Sequence, residues 1–155
     1  MSEAIKIITT NRKARHEYHI SETLEAGIAL LGTEVKSLRE GRANLQEAYC
    51  IITGGEMMLM QCHITPFKHG GHYNHDPVRP RKLLLHRREI AKWDAAVQRK
   101  GYTIVPLKMY FKAGKVKVEI GLARGKKLYD KRADIADRES KRRLERILRA
   151  GTSTD

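Results

Sequence analysis

The chain has 155 residues, 41% of them hydrophobic and 6% aromatic, with a net charge of +13 at neutral pH. That length suits one modest core with appendages, and the charge points away from acidic-patch chemistry and towards a polyanionic partner. Cys50 and Cys62 form no CxxC pair, and neither a secretory signal nor a membrane-spanning apolar run is present, so a reducing cytoplasm and no membrane association are expected.

The charge is unevenly spread. Residues 1–77 hold eight Lys/Arg against nine Asp/Glu, a balance of −1, whereas residues 78–155 hold twenty-three against nine, a balance of +14. Such asymmetry points to nucleic acid ahead of a membrane surface, because no segment pairs a Trp/Phe/Leu face with the basic one.

In chain order, residues 1–10 read as a flexible lead-in. Asn11-Arg12-Lys13-Ala14-Arg15-His16 then brings three cations and a histidine immediately before a strand. Tyr18, Ile20, Leu24, Ile28 and Leu30 read as that strand, with Gly27 at a bulge or bend. Thr33 to Arg39 reads as a short helix capped by Thr33 and closed by Gly41. Ala48–Thr53 and Glu56–Ile64 are two strands joined at Gly54-Gly55, a two-residue hairpin signal. A polar loop runs from Thr65 to Arg81, followed by a short strand Lys82–His86. Arg88 to Lys100 is an amphipathic helix with Ile90, Trp93 and Val97 on one face and Gly101 as its stop. Tyr102–Lys112 and Lys115–Leu122 form a last strand pair across Ala113-Gly114, the second alternating Lys115, Lys117 and Glu119 outward with Val116, Val118 and Ile120 inward.

This inventory predicts a mainly β protein: an oligonucleotide-binding (OB)-like closed antiparallel barrel, because closure removes sheet edges, with one or two short flanking helices. Residues 11–124 form the body and 125–155 a basic tail. From Arg124 to Arg149, eleven Lys/Arg face five acids, and residues 137–143 contain no apolar side chain. A helix without an apolar stripe has nothing to dock, so the tail is expected to be disordered or loosely helical until an acidic partner orders it.

Signatures of catalysis are weak. Gly121 to Lys127 resembles a phosphate-binding loop but is one residue short, with Lys127 where Ser or Thr would hold magnesium and no βαβ unit behind it. His63, His69, His72 and His75 lack the cysteine partners of a zinc finger and a glutamate base, which favours loop polarity and RNA contact over metal. No metal, cofactor or enzymatic activity is expected. Aromatic residues are sparse, which favours a folded RNA read by shape and backbone. Glu34 supports two readings: a helix-start carboxylate favoured by the dipole, or an acceptor for a base edge.

Several blocks together carry a family resemblance: residues 11–18 (NRKARHEY), 26–28 (AGI), 32–39 (GTEVKSLR), 74–77 (NHDP), 81–86 (RKLLLH), 117–121 (KVEIG) and 125–132 (GKKLYDKR). Running in order from Asn11 to Arg149, the chain resembles the SsrA-binding protein (SmpB) family, the partner of transfer-messenger RNA (tmRNA) in bacterial ribosome rescue. The resemblance implies an OB-fold body gripping the tRNA-like domain of tmRNA. Its RNA-binding residues would be Asn11, Arg12, Lys13, Arg15, His16, Glu34, Lys36, Arg81, Lys82, Leu84, His86 and Lys117. It also implies a tail that enters the empty mRNA channel of a stalled ribosome and reaches the decoding centre. Gly125, Lys126, Lys127, Tyr129, Asp130, Lys131 and Arg132 match that tail motif. Some relatives carry histidine where Tyr129 stands; a phenol can stack but cannot be protonated near neutrality. The free protein is expected to be a monomer, with tmRNA and the ribosome as partners. The alternative is a general ribosomal or RNA-chaperone protein with a basic tail.

Overall fold

The computed structural model describes residues 4–125. Nine strands and three α-helices follow one another: β1 Ile5–Thr10, α1 Arg12–Glu17, β2 Tyr18–Ile28, α2 Gly32–Arg39, β3 Ala43–Asn44, β4 Tyr49–Thr53, β5 Glu56–Met60, β6 His63–Ile64, β7 Arg81–Leu84, α3 Arg87–Lys100, β8 Thr103–Lys112 and β9 Lys115–Gly125. The main sheet has the order β1-β8-β4-β5-β7-β2-β9. Because β9 also pairs with β8, the strands from β8 round to β9 form a ring, with β1 added outside β8. Every pairing is antiparallel, and β3 with β6 makes a separate two-stranded sheet.

The ring encloses one core. Met57, Leu59, Leu83, Met109, Val118 and Ile120 are all but fully buried, each from the inward phase of its strand. Helix α3 covers the core with the face expected of it. Trp93 is 1% exposed and its indole N–H donates to Glu22 at 3.1 Å, satisfying the one polar atom such burial strands. Gly54 and Gly55 both have positive φ (58° and 77°), the geometry of the tight turn their sequence demands. The two cysteines are free and buried; burial pushes the Cys62 thiol up to about 11, so both act as small core residues.

The expected strand Glu56–Ile64 is split: β5 ends at Met60, and His63–Ile64 pairs with β3 in the second sheet. Three further elements differ from the sequence expectation. The lead-in through Thr10 is instead strand β1, running from Ile5 opposite Lys112 to Thr10 opposite Lys108 with a shift of register between Ile7 and Thr9. Arg12 to Glu17 is a helix rather than a run-up to the strand. Its only buried residue is Ala14, and it is nucleated by Asn11, whose Oδ1 accepts from Ala14 N at 3.1 Å. The flanking α-helices thus number three among the described residues, and α3 with 14 residues is not short. Third, the irregularity in β2 falls between Ile20 and Glu22 and not at Gly27. No helix among the described residues is long and apolar enough to cross a membrane.

Candidate nucleic-acid interface

The outer face of the ring carries a row that register alone defines. Gly27 on β2 stands opposite Leu84 on β7 and opposite Lys117 on β9, and Lys117 stands opposite Tyr110 on β8. Residues directly opposite share a face, so Lys117 and Leu84 flank a position with no side chain. A Cβ on Gly27 would meet Leu84 Cβ at 3.2 Å, so the glycine is what lets Leu84 close over the strand. Leu84 remains 53% exposed. Lys82, two residues earlier on the same face, is also exposed and sits 3.2 Å from Glu56. His86 is exposed where α3 begins, its backbone N–H donating to Glu89 Oε1 at 3.1 Å.

Two carboxylates stand among these cations. Glu25 lies opposite Glu119 across β2 and β9, a like-charge pair that would repel if left alone. Each is compensated. Glu25 accepts from the Tyr110 hydroxyl and lies 3.3 Å from Lys112, while Glu119 lies 3.2 Å from Arg15 and 3.5 Å from Lys108. The Tyr110 hydrogen bond, aided by Lys112 and Lys117, holds the Glu25 carboxyl below the usual range. Burial, and then the neighbouring Glu25, push the Tyr110 phenol well up. The face therefore stays organised at neutral pH, with Arg15 of α1 drawn onto it by Glu119.

Three expected contacts are not at the surface at all. Glu34, 0% exposed, accepts from Leu31 N–H and from Arg79 Nη2, both at 2.7 Å, and from Arg81 Nε. Arg81, also 0% exposed, donates through Nη1 to Cys62 O at 2.7 Å and through Nη2 to Pro77 O at 3.3 Å. Asn11 is 2% exposed, its amide donating to Leu45 O at 3.1 Å and Pro106 O at 2.9 Å. Both Glu34 oxygens are engaged inside the protein, so neither is open to a base edge. Burial raises the Glu34 pKa, but the bonds from Arg79, Leu31 and Arg81 outweigh it and hold the carboxyl below its ordinary value. Of the two readings of Glu34, the helix-start carboxylate survives, with a buried ion pair that sequence could not reveal. Thr33 is correspondingly not the helix cap; its hydroxyl lies 2.9 Å from His75 Nδ1.

The other expected contacts are exposed but dispersed. Arg12, Lys13, Arg15 and His16 all face solvent on α1, with Lys13 turned to Glu47 at 3.2 Å. Lys36 on α2 lies 5.4 Å above the Phe67 ring. Gly125, expected to open the tail, is the last residue of β9, opposite Tyr18. Lys126, Lys127, Tyr129, Asp130, Lys131 and Arg132 lie outside the described residues. Sequence reasoning passed over Arg87 and Arg88, exposed in the first turn of α3 beside His86, and Arg79, which bridges the buried Glu34 to the surface. The adjacent basic pair after the Leu-Leu-Leu-His run was the available signal. Among the described residues no three His, Cys, Asp or Glu side chains gather as a metal site would need.

Residues 4–125 hold twenty-one Lys/Arg against eleven Asp/Glu, so the body is strongly basic without its tail. Fold and surface together define a mainly β, cationic protein with a ring of strands and an outward row of lysines around an exposed leucine. The chain belongs to the SmpB family, whose model, described as SmpB protein, matches residues 8–150. It is 57% identical over 148 residues to the SsrA-binding protein of Roseiflexus sp. (strain RS-1), covering 95% of this chain and 94% of that one. It is 54% identical over 149 residues to the SsrA-binding protein of Ruminiclostridium cellulolyticum, covering 96% and 97%. A solved structure described as "tmRNA-SmpB: a journey to the center of the bacterial ribosome" superposes with a TM-score of 0.64 at 50% identity, covering 76% of this chain and 82% of the other.

Proposed function

We propose that this protein is a non-enzymatic, cytoplasmic adaptor of trans-translation. Its body binds the tRNA-like domain of tmRNA, and its tail occupies the empty mRNA channel of a stalled ribosome near the decoding centre. The observation that carries this reading is the near-full-length match to proteins named for binding SsrA RNA. The geometry fits it. Lys117, Lys82, Arg15 and His86 offer cations and a ring to phosphates, and Leu84 offers an apolar contact to a ribose or base. Glu34, Arg81 and Asn11 serve the same interface from inside, as positioning residues for β7, α2 and α1. The closed ring of strands supports an OB-type barrel as the body's fold.

The tail supplies reach. Residues 125–155 number thirty-one, and fully extended they span about 100 Å. A phosphate-lined channel would relieve the self-repulsion that opposes helix formation in free solution, so binding and folding should be coupled. A chain ending at Gly125 tests the division of labour. It should keep its affinity for tmRNA and lose peptide tagging on stalled ribosomes. Loss of RNA binding by a truncated chain that remains folded would overturn the two-part model.

A further inference from the structure

The loop between β6 and β7 lies outside the row and has a surface of its own. No acid occurs between Glu56 and Asp76, while Lys68, His69 and His72 are all exposed. Within it Tyr73, on a short 3-10 turn, is 92% exposed, more than any other large hydrophobic side chain among the described residues. The loop is braced from within. Asn74 Oδ1 accepts from Phe67 N at 3.0 Å and His75 N at 3.2 Å, and Asn74 Nδ2 donates to Phe67 O at 2.7 Å. Tyr73 N–H donates to Gly70 O at 3.2 Å, and Gly70 N–H to Phe67 O at 2.9 Å. Behind them His75, 5% exposed, bonds Ile64 O at 2.8 Å through Nε2 and the Thr33 hydroxyl at 2.9 Å through Nδ1.

Cations and rings alternate on this scaffold. Lys36 Nζ lies 5.4 Å from the Phe67 centroid, and His69 meets Phe67 edge-on at 5.7 Å and 75°. A ring held out by a braced loop loses little further freedom on binding, which favours it as a contact. Aromatic faces for bases, interleaved with cations for phosphates, are what an unpaired nucleic-acid strand requires.

We propose that residues 65–76 form a second RNA contact, a stacking platform for unpaired bases, with Tyr73 as the stacking ring and Lys36 and Lys68 holding the adjoining phosphates. The platform rests on the reading of the protein as RNA-binding and extends it: the row on the ring meets a folded RNA, and the loop meets a single strand. The test uses the full chain and a labelled, unstructured oligouridine, at salt high enough to suppress the phosphate contribution of the basic tail. Tyr73→Ala should weaken oligouridine binding about tenfold, the loss of one stacked base, while Tyr73→Trp should match or exceed the native affinity. Because Tyr73 is almost fully exposed, neither change touches the core. Native affinity in Tyr73→Ala, or a loss in Tyr73→Trp equal to that in Tyr73→Ala, would overturn the platform and leave the ring to a protein contact. Binding of tmRNA by the native chain is measured alongside. Its failure with oligouridine binding intact would defeat the proposed function and spare the platform, and the reverse pattern would defeat the platform alone.

Discussion

The outer row and the buried clamp make opposite use of the same residue types. On the row, Lys82 and Arg15 face solvent with carboxylates beside them and Lys117 is half-buried, and their charge is available to a partner at modest cost. In the clamp, Glu34 and Arg81 are wholly buried and their charge is consumed within the fold, tying α2 to β7 through Arg79, Cys62 and Pro77. The two regions meet at β7, whose alternation sends Arg81 and Leu83 inward and Lys82 and Leu84 outward. One strand therefore carries both the support and the surface. A mutation in either region can weaken RNA binding, and for different reasons.

The largest expected effect separates them. Glu34→Ala leaves Arg81 buried without its partner and should destabilise the fold by about 3–5 kcal/mol in chemical denaturation. Lost RNA affinity with unchanged stability would return Glu34 to the role of a direct contact. Acid should act on the same pair. The Glu34 carboxyl is held below its unfolded value, so its stabilisation is complete above about pH 4.3 and is lost as pH falls through the depressed folded value. Glu34→Gln should flatten that acid limb of the stability profile; an unchanged limb would assign it to other carboxylates.

The row should behave in the opposite way. Lys117→Ala is expected to change stability by no more than about 0.5 kcal/mol and to weaken tmRNA binding, reducing the salt slope of log affinity by about 1. A slope identical to that of the native chain would remove Lys117 from the phosphate contacts. The smallest effect is a control. Ala113 has φ of 52°, in the left-handed region, at the hairpin joining β8 to β9. Ala113→Gly should stabilise the body by about 0.5–1 kcal/mol while leaving RNA affinity alone. A parallel rise in affinity would mean that the row is limited by stability rather than by its own charges.

Much of the ring was legible in order. The Gly54-Gly55 turn, the alternation of residues 115–120 and the apolar face at Ile90, Trp93 and Val97 are local signals with local causes, and each appears where the pattern puts it. Strand β1 and helix α1 were not legible. Ile5 and Ile7 stay exposed, so β1 is held by its pairing with β8 and by Ile8 alone packing on the core, while α1 offers a single buried alanine and depends on an asparagine anchored to Leu45 and Pro106. Both elements are fixed by partners between about thirty and more than a hundred residues away, which no local pattern encodes.

For the site, the sequence alone determined the chemistry on offer: a basic second half, a Lys-Leu-Leu-Leu-His run and the blocks that mark the SmpB family. Only the tertiary structure decided which of those residues face outward. Closure of the ring set Lys117 and Leu84 on either side of Gly27, and packing of α2 against β7 drew Glu34 and Arg81 inside. The physical reason is the cost of an isolated buried charge: once Arg81 falls on the inward phase of β7, it requires a carboxylate, and Glu34 at the start of α2 supplies it.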